Sequence, residues 1–214
     1  MENLVNALNS FRDQRVLITG DTGFKGSWLS LWLHQHGAKV FGYALPPESN
    51  SHFQLLGLSK LISHEDGDVR DLEHLSRCMT HVQPDVVFHL AAQALVKVAY
   101  KDPEDTYSTN VMGSLNILQA VKKCRSVKSM IYVTSDKCYE NKEWVWGYRE
   151  NDKLGGHDPY SSSKSASEII IESYFKSFFD SFNADIRFSI VRAGNVIGGG
   201  DWAKDRIVVD CMRS

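Results

Sequence analysis

The stretch Val16-Leu17-Ile18-Thr19-Gly20-Asp21-Thr22-Gly23-Phe24-Lys25-Gly26 leaves this chain few folds to choose from. Val16 to Thr19 is an apolar, β-branched run that reads as a buried strand. Glycines at 20, 23 and 26 then open a stretch, Ser27 to His36, that reads as a helix. Gly20 permits a tight turn, Gly23 lets backbone approach a ligand, and Gly26 lets the helix pack close on the strand. The first N–H groups of a helix lack intrahelical acceptors, and the helix dipole favours an anion there, most simply a pyrophosphate. The spacing is G-x-x-G-x-x-G rather than G-x-G-x-x-G, and alone it also fits a purely structural turn.

The rest of the chain repeats the strand-then-helix rhythm. Strands are predicted at Lys39 to Leu45, Leu61 to Ser63, Asp85 to Ala92 (running into a small-residue loop), Ser129 to Thr134 and Ile186 to Arg192. Helices are predicted at Leu72 to His81, Pro103 to Lys123 and Tyr160 to Phe179. Alternation without hairpin signals implies an α/β fold, a Rossmann-type doubly wound parallel sheet covered on both faces. Six strands split three and three suggest the order 3-2-1-4-5-6, with a crevice at the switch point. Asn141 to Pro159, rich in Trp, Gly and charge, reads as a long loop over the C-terminal edge of the sheet.

A net charge of −2 over 214 residues gives no electrostatic reason to expect nucleic acid or an anionic membrane as partner. Cys78, Cys124, Cys138 and Cys211 are scattered and read as reduced core or near-core thiols, not as a disulfide frame or zinc site. No metal site is expected; His34-Gln35-His36 reads as a solvated helix end. The polar start lacks a signal-peptide core and no apolar run is long enough to span a bilayer, so a cytoplasmic location is expected.

The strongest chemical signal is Tyr160-Ser161-Ser162-Ser163-Lys164. Positions four apart share a helix face, so the phenol and ammonium can stand side by side. An adjacent ammonium lowers a phenol's pKa, which makes Tyr160 a base for a sugar or alcohol hydroxyl. A surface helix carrying a chance Tyr and Lys is the plainer alternative. Upstream, the fifth strand ends in Thr134-Ser135-Asp136-Lys137-Cys138-Tyr139, where strand ends face the ligand crevice. Thr134 is placed to hydrogen-bond the hydroxyl that Tyr160 deprotonates, and Asp136 and Lys137 offer an acid/base pair. Asn110 is expected to hold backbone groups, and Trp144 and Trp146 either to pack the loop or to touch a ligand.

These motifs, with Gly67-Asp68-Val69-Arg70-Asp71, His89-Leu90-Ala91-Ala92-Gln93 and Arg192-Ala193-Gly194-Asn195-Val196-Ile197-Gly198, resemble the extended short-chain dehydrogenase/reductase superfamily. Within it they look like the nucleotide-sugar 4,6-dehydratases. Thr19 to Trp28, Thr134 to Tyr139 and Gly198 to Ala203 are most similar to members acting on a CDP-sugar. The resemblance implies that Tyr160, assisted by Lys164 and Thr134, takes the proton of the sugar 4-hydroxyl while hydride passes to NAD. Water is then eliminated across C5 and C6 with Asp136 as acid, and hydride returns to C6. Related dTDP-sugar enzymes carry Asp-Glu where this chain has Asp136-Lys137. An ammonium cannot accept the C5 proton, so Lys137 needs a depressed pKa or another role, such as stabilising the enolate.

The resemblance also implies NAD contacts at Gly20, Thr22, Gly23, Phe24 and Gly26 for the pyrophosphate, and Asp68 and Val69 for the adenine. Leu90, Ala91, Ala92 and Gln93 would line the ribose side, with Tyr160 and Lys164 completing the cofactor set. The acidic residue that usually ends the second strand is absent; Gly42-Tyr43-Ala44-Leu45 stands there. Asn195 and Arg206 are candidates for the substrate phosphates or sugar. The resemblance runs from about residue 15 to the end. Residues 1–14 are expected as an N-terminal extension and 15–214 as the NAD-binding Rossmann domain with catalytic residues, truncated before a substrate-binding domain. The two long helices are expected to form a homodimer bundle, as is common in that superfamily.

Overall fold

The computed structural model describes residues 9–179, 186–203 and 205–213. Its sheet has six strands: β1 (Arg15–Thr19), β2 (Lys39–Ala44), β3 (Ser63–Asp66), β4 (Val86–His89), β5 (Ser129–Ser135) and β6 (Arg187–Ala193). They lie in the order β3-β2-β1-β4-β5-β6, and every neighbouring pair is parallel. This is the doubly wound order expected from the strand–helix alternation. β1 sits between β2 and β4, where the strand order reverses, and both halves open a crevice at its end.

The residues of β1 explain its central place. Leu17 enters the core on one face with Leu75, Val87, Ile117, Met130 and Ile171. Val16 and Ile18 enter the core on the other with Leu33, Val40, Phe53 and Leu58. A strand buried on both faces needs no polar alternation, which is why it reads as an unbroken apolar run.

The helices around the sheet are α1 (Phe24–Gln35), α2 (His52–Leu55), α3 (Leu72–Val82), α4 (Val96–Lys101), α5 (Pro103–Tyr107), α6 (Gly113–Lys123), α7 (Pro159–Phe178) and α8 (Ile207–Arg213). A wide turn, Ser108–Met112, joins α5 to α6, so the long helix expected from Pro103 to Lys123 runs on with one bulge. Starts are written in the sequence: Asp71, Asp102 and Asp158 accept N–H groups of His74, Asp105 and Ser161, with Pro next after the latter two caps. α7 buries Ser163, Ser165 and Ser167, small side chains that let it lie close to the sheet and to α6.

The third strand differs from expectation. Leu58, in a single-turn 3₁₀ segment (Leu58–Lys60), and Ile62, two residues past its end, are core residues, and the strand itself is the polar edge Ser63–Asp66. The apolar signal thus marks the residues that pack beneath the sheet. Of the expected N-terminal extension, residues 1–8 lie outside the described residues, while Phe11 packs against Phe88 with ring centroids 6.1 Å apart. Cys78, Cys124 and Cys138 are buried and unbridged, but Cys211 is exposed, unlike the core placement expected. No helix among the described residues is long and apolar enough to cross a membrane.

Candidate active site

The glycine turn closes as its spacing requires. Gly20 has φ +78°, and a Cβ there would meet the Ala91 nitrogen at 2.7 Å. A Cβ on Gly26 would lie 2.0 Å from the Gly20 carbonyl oxygen, so α1 can meet β1 this closely only without a side chain. α1 begins at Gly23 with no side-chain cap, and its first turn, Phe24 to Gly26, lines a cavity of the crevice. Beside the turn, a cavity of about 280 Å³ is lined by Gly20, Thr22, Gly23, Asp68, Val69, Leu90, Ala91, Ala92 and Gln93.

That cavity is braced from both sides. Thr22 Oγ1 donates to the Leu45 carbonyl at 3.0 Å, and the Tyr43 hydroxyl to the Asp68 carbonyl at 3.0 Å. Arg70 holds the Asp68 and Asp105 carboxylates, and hydrogen bonding to Arg70 keeps the Asp68 carboxyl below its usual range. Asn110 Oδ1 accepts the Gln93 N–H at 2.8 Å and its Nδ2 donates to the Gln93 carbonyl at 3.0 Å, the backbone-holding role expected for it. The buried Asp21 carboxylate lies over Gly42 of β2 and accepts from His64 Nδ1 at 2.7 Å.

A second cavity of about 240 Å³ joins the two halves of the site. Gly23, Phe24, Lys25, Gly26, Thr134, Ser135, Lys137, Tyr160, Asn195 and Arg206 line it together. Tyr160 and Lys164 are both buried, with Lys164 Nζ 5.9 Å from the Tyr160 ring centroid. Burial, helped by the Lys25 ammonium, pulls Lys164 down to about 8, with Glu168 acting in the opposite sense. Lys25 is lowered by burial and by Arg206. His89, fully enclosed and 2.7 Å from the Thr19 hydroxyl, is held neutral by burial, its pKa about 3.

Two expectations are corrected here. Tyr160 is raised, not lowered: burial pushes it up, Ser135 and Arg206 favour the phenolate, and Asp136 and Asp158 add to the rise. The hydroxyl beside that phenol belongs to Ser135 and not to Thr134. Thr134 Oγ1 is buried and donates to Glu168 Oε1 at 2.6 Å. Ser135 Oγ donates to Asp136 Oδ1 at 3.1 Å and accepts the Lys137 N–H at 3.2 Å, and it lines the cavity with Tyr160, whose phenolate it favours. Asp136 and Lys137 are half-exposed, with Lys137 Nζ 3.7 Å from Asp136 Oδ2.

The segment after β6 closes the crevice. Trp28 Nε1 on α1 donates to the Gly199 carbonyl at 3.0 Å, and Lys97 on α4 pairs with Asp205 at 2.5 Å. Arg206 stands 3.6 Å from Asp201, and both line the second cavity with Asn195. In the long loop, Trp144 and Trp146 pack against each other at 5.1 Å, and Tyr148 stacks on Tyr139 at 5.0 Å. Sequence reasoning missed Lys25, Ser135, Glu168 and Arg192. Glu168 had a signal, since it continues the Tyr160, Lys164 spacing by four more residues.

Fold and site together define a Rossmann-type protein with a glycine-turn dinucleotide crevice and a Tyr-x-x-x-Lys pair at its mouth. The chain belongs to the GDP-mannose 4,6 dehydratase family, whose model matches residues 17–188. It is 50% identical over 210 residues to a CDP-glucose 4,6-dehydratase of Salmonella typhimurium, covering 96% of this chain and 58% of that protein. It is 32% identical over 166 residues to UDP-glucuronate 4-epimerase 1 of Arabidopsis thaliana, covering 74% and 38%. Among solved structures it is similar to the epimerase Mth375 of Methanothermobacter thermautotrophicus, with TM-score 0.80, 26% identity, and coverage of 92% and 56%. It is also similar to a UDP-glucose 4-epimerase complex with NAD from Thermus thermophilus, with TM-score 0.75, 28% identity, and coverage of 89% and 58%. The chain thus spans less than two thirds of the length of each of these proteins.

Proposed function

We propose that this chain carries the cofactor-binding and catalytic portion of an NAD-dependent lyase converting CDP-glucose to CDP-4-keto-6-deoxyglucose. The observation that carries the reading is that Tyr160, Ser135 and Lys137 line one cavity with the glycine turn, while Asp136 lines the groove that Lys137 also borders. The 50% identity to a CDP-glucose 4,6-dehydratase selects the sugar nucleotide. The crevice fits a dinucleotide: uncapped N–H groups of α1 and Lys25 suit a pyrophosphate, and the cavity between Thr22 and Gln93 suits an adenosine. Gly20, Thr22, Gly23, Phe24 and Gly26 would hold the pyrophosphate, Asp68 and Val69 the adenine, and Leu90 to Gln93 with Tyr160 and Lys164 the remainder. When bound, NAD accepts a hydride from the substrate and returns it.

The chain's own residues do the proton work. Tyr160 takes the 4-hydroxyl proton, and Ser135 and Arg206 stabilise the phenolate against burial. Thr134, whose hydroxyl is committed to Glu168, supports the strand end instead of the substrate. Oxidation at C4 acidifies the C5 proton, which passes to solvent water in the open groove; Lys137 stabilises the resulting enolate as a cation, and the protonated Asp136 carboxyl gives its proton to the 6-hydroxyl, which leaves as water. Asn195 and Arg206 face the substrate diphosphate. Exposed Met112, Ile169 and Phe178 on the long helices suit a homodimer seam, and the protein acts in the cytoplasm on a soluble sugar nucleotide that feeds deoxysugar biosynthesis.

A 4-epimerase is the competing reading, favoured by the likeness to epimerase structures, but it has no use for an acid at Asp136. The purified chain, given NAD with CDP-glucose or dTDP-glucose, is expected to form the 4-keto-6-deoxy product from CDP-glucose alone. NAD binding by calorimetry without product would make this a cofactor-binding portion only, and a C4 epimer would establish the competing reading.

A further inference from the structure

Glu168 is a buried carboxylate that the proposed chemistry leaves unused. It lies one turn beyond Lys164 and two beyond Tyr160, so the three side chains follow one another along the buried face of α7. Thr134 Oγ1 donates to its Oε1 at 2.6 Å, and Arg192 Nε reaches both oxygens at 2.9 and 2.8 Å. Arg192 Nη2 adds a further bond to Oε2. The same guanidinium, through Nη1, donates at 2.8 Å to the Tyr139 hydroxyl and at 2.8 Å to the Glu150 carbonyl. Its carbon lies 4.7 Å from the Tyr139 ring centroid. One carboxylate therefore joins α7, the end of β5, β6 and the long loop.

A seam between helix and strand does not need a buried ion pair, because apolar side chains fill such a place without the cost of stripping water from two charges. What is special is where this one sits. The strand end it grips carries Ser135, Asp136 and Lys137, and the helix carries Tyr160 and Lys164. We propose that Glu168 is a positioning residue for the reacting groups, fixing β5 against α7 through Thr134 while opposing the Lys164 ammonium. This rests on the reading of Tyr160 and Lys164 given above. Around Lys164, Lys25 on α1 repels, His89 on β4 is neutral, and Tyr160 shares its helix, leaving Glu168 as the anion acting on it.

The test uses the full chain with lysine labelled at Cε and follows the Lys164 NMR signal with pH, alongside NAD affinity by calorimetry. Wild type is expected to titrate near 8. In Glu168→Gln the midpoint falls by about one pH unit, and NAD affinity at pH 8 falls about fivefold with little change at pH 6. Should that variant fail to fold, Glu168→Gln with Arg192→Met leaves no orphaned cation and carries the same expectation. An unchanged Lys164 midpoint together with unchanged NAD affinity in a folded variant overturns the proposal. Failure of wild type to bind NAD at any pH would overturn the functional reading instead, and the Lys164 titration would still decide the role of Glu168.

Discussion

Thr134 and Ser135 are neighbours at the end of β5 that send their hydroxyls to different partners. Thr134 donates to Glu168 at 2.6 Å, whereas Ser135 stands beside Tyr160 and 3.1 Å from Asp136 Oδ1. Ser135 favours the phenolate that burial opposes, so in the proposed reaction its removal falls on the proton transfer to Tyr160. Ser135→Ala is expected to lower kcat about 10²-fold, with NAD affinity retained. Thr134→Ser, which keeps the donor to Glu168, is expected to stay within about threefold of wild type. Steady-state turnover of CDP-glucose by the two variants checks this, and an unchanged kcat in Ser135→Ala would remove Ser135 from the proton transfer.

In the proposed reaction Asp136 and Lys137 separate dehydration from simple oxidation at C4. They stand half-exposed and 3.7 Å apart in the wider groove that Tyr139, Tyr148 and Arg192 also line. Asp136→Asn keeps the shape and removes the proton that the 6-hydroxyl must receive. Product formation is expected to fall at least about 10²-fold while NAD affinity is unchanged. Loss of the C5 proton to deuterated solvent, read by NMR of recovered CDP-glucose, is expected to continue. An unaltered rate of product formation would remove Asp136 from the reaction.

What could be read from the chain followed how locally each feature is encoded. The glycine turn, the doubly buried β1 and the capped helix starts are local patterns, and they lead directly to the strand order. β3 lies later than its apolar signal because it is a polar edge strand, while the apolar residues before it, Leu58 and Ile62, serve the core beneath. The choice between Thr134 and Ser135 depends on how far along α7 the end of β5 lies, where Thr134 meets Glu168, and the sequence does not give that register. The rise of Tyr160 reflects burial, which distant segments produce and a pair of residues four apart on one helix does not reveal, and it outweighs the opposing pull of Ser135 and Arg206. A glutamate in mid-helix ordinarily faces solvent, so the spacing of Glu168 from Tyr160 and Lys164 is a weak signal without its partner Arg192, which lies on a distant strand.

Gly26→Ala tests the closeness of α1 to β1. The added Cβ would meet only backbone, the Gly20 oxygen at 2.0 Å, the Gly20 carbonyl carbon at 2.7 Å and Asp21 Cα at 2.8 Å. No side chain can move aside, so the helix must retreat from the turn. A loss of about 2–3 kcal/mol is expected, lowering Tm by about 5–10 °C for a chain of this size. NAD binding is expected to disappear as well, because the same retreat draws the helix N–H groups from the crevice. Gly147→Ala, in open space in the long loop, is the control and is expected to change stability by less than about 0.5 kcal/mol. Comparable melting temperatures for the two variants would show that α1 does not depend on this contact.

His64 couples the glycine turn to β3 in a way that depends on pH. Its Nδ1 lies 2.7 Å from Asp21 and its Nε2 3.0 Å from Asp66. Burial lowers the imidazole, but the two carboxylates outweigh it and the net shift is upward. Burial raises Asp21 in turn, more than its bond to His64 lowers it. An imidazole raised above its unfolded value, near 6.5, stabilises the fold fully below that pH, and the contribution disappears as pH rises through the folded value. The raised Asp21 acts in the same sense, since ionising it costs more in the folded chain as pH rises. His64→Gln keeps a hydrogen bond to Asp21 without the charge. Taking the difference between wild type and this variant cancels opposing groups such as Lys164, whose lowered pKa favours the fold at alkaline pH. The urea midpoint of wild type is therefore expected to exceed that of His64→Gln most at pH 6, with the gap closing towards pH 9. A gap that stays constant from pH 6 to pH 9 would mean that His64 holds the turn by shape alone.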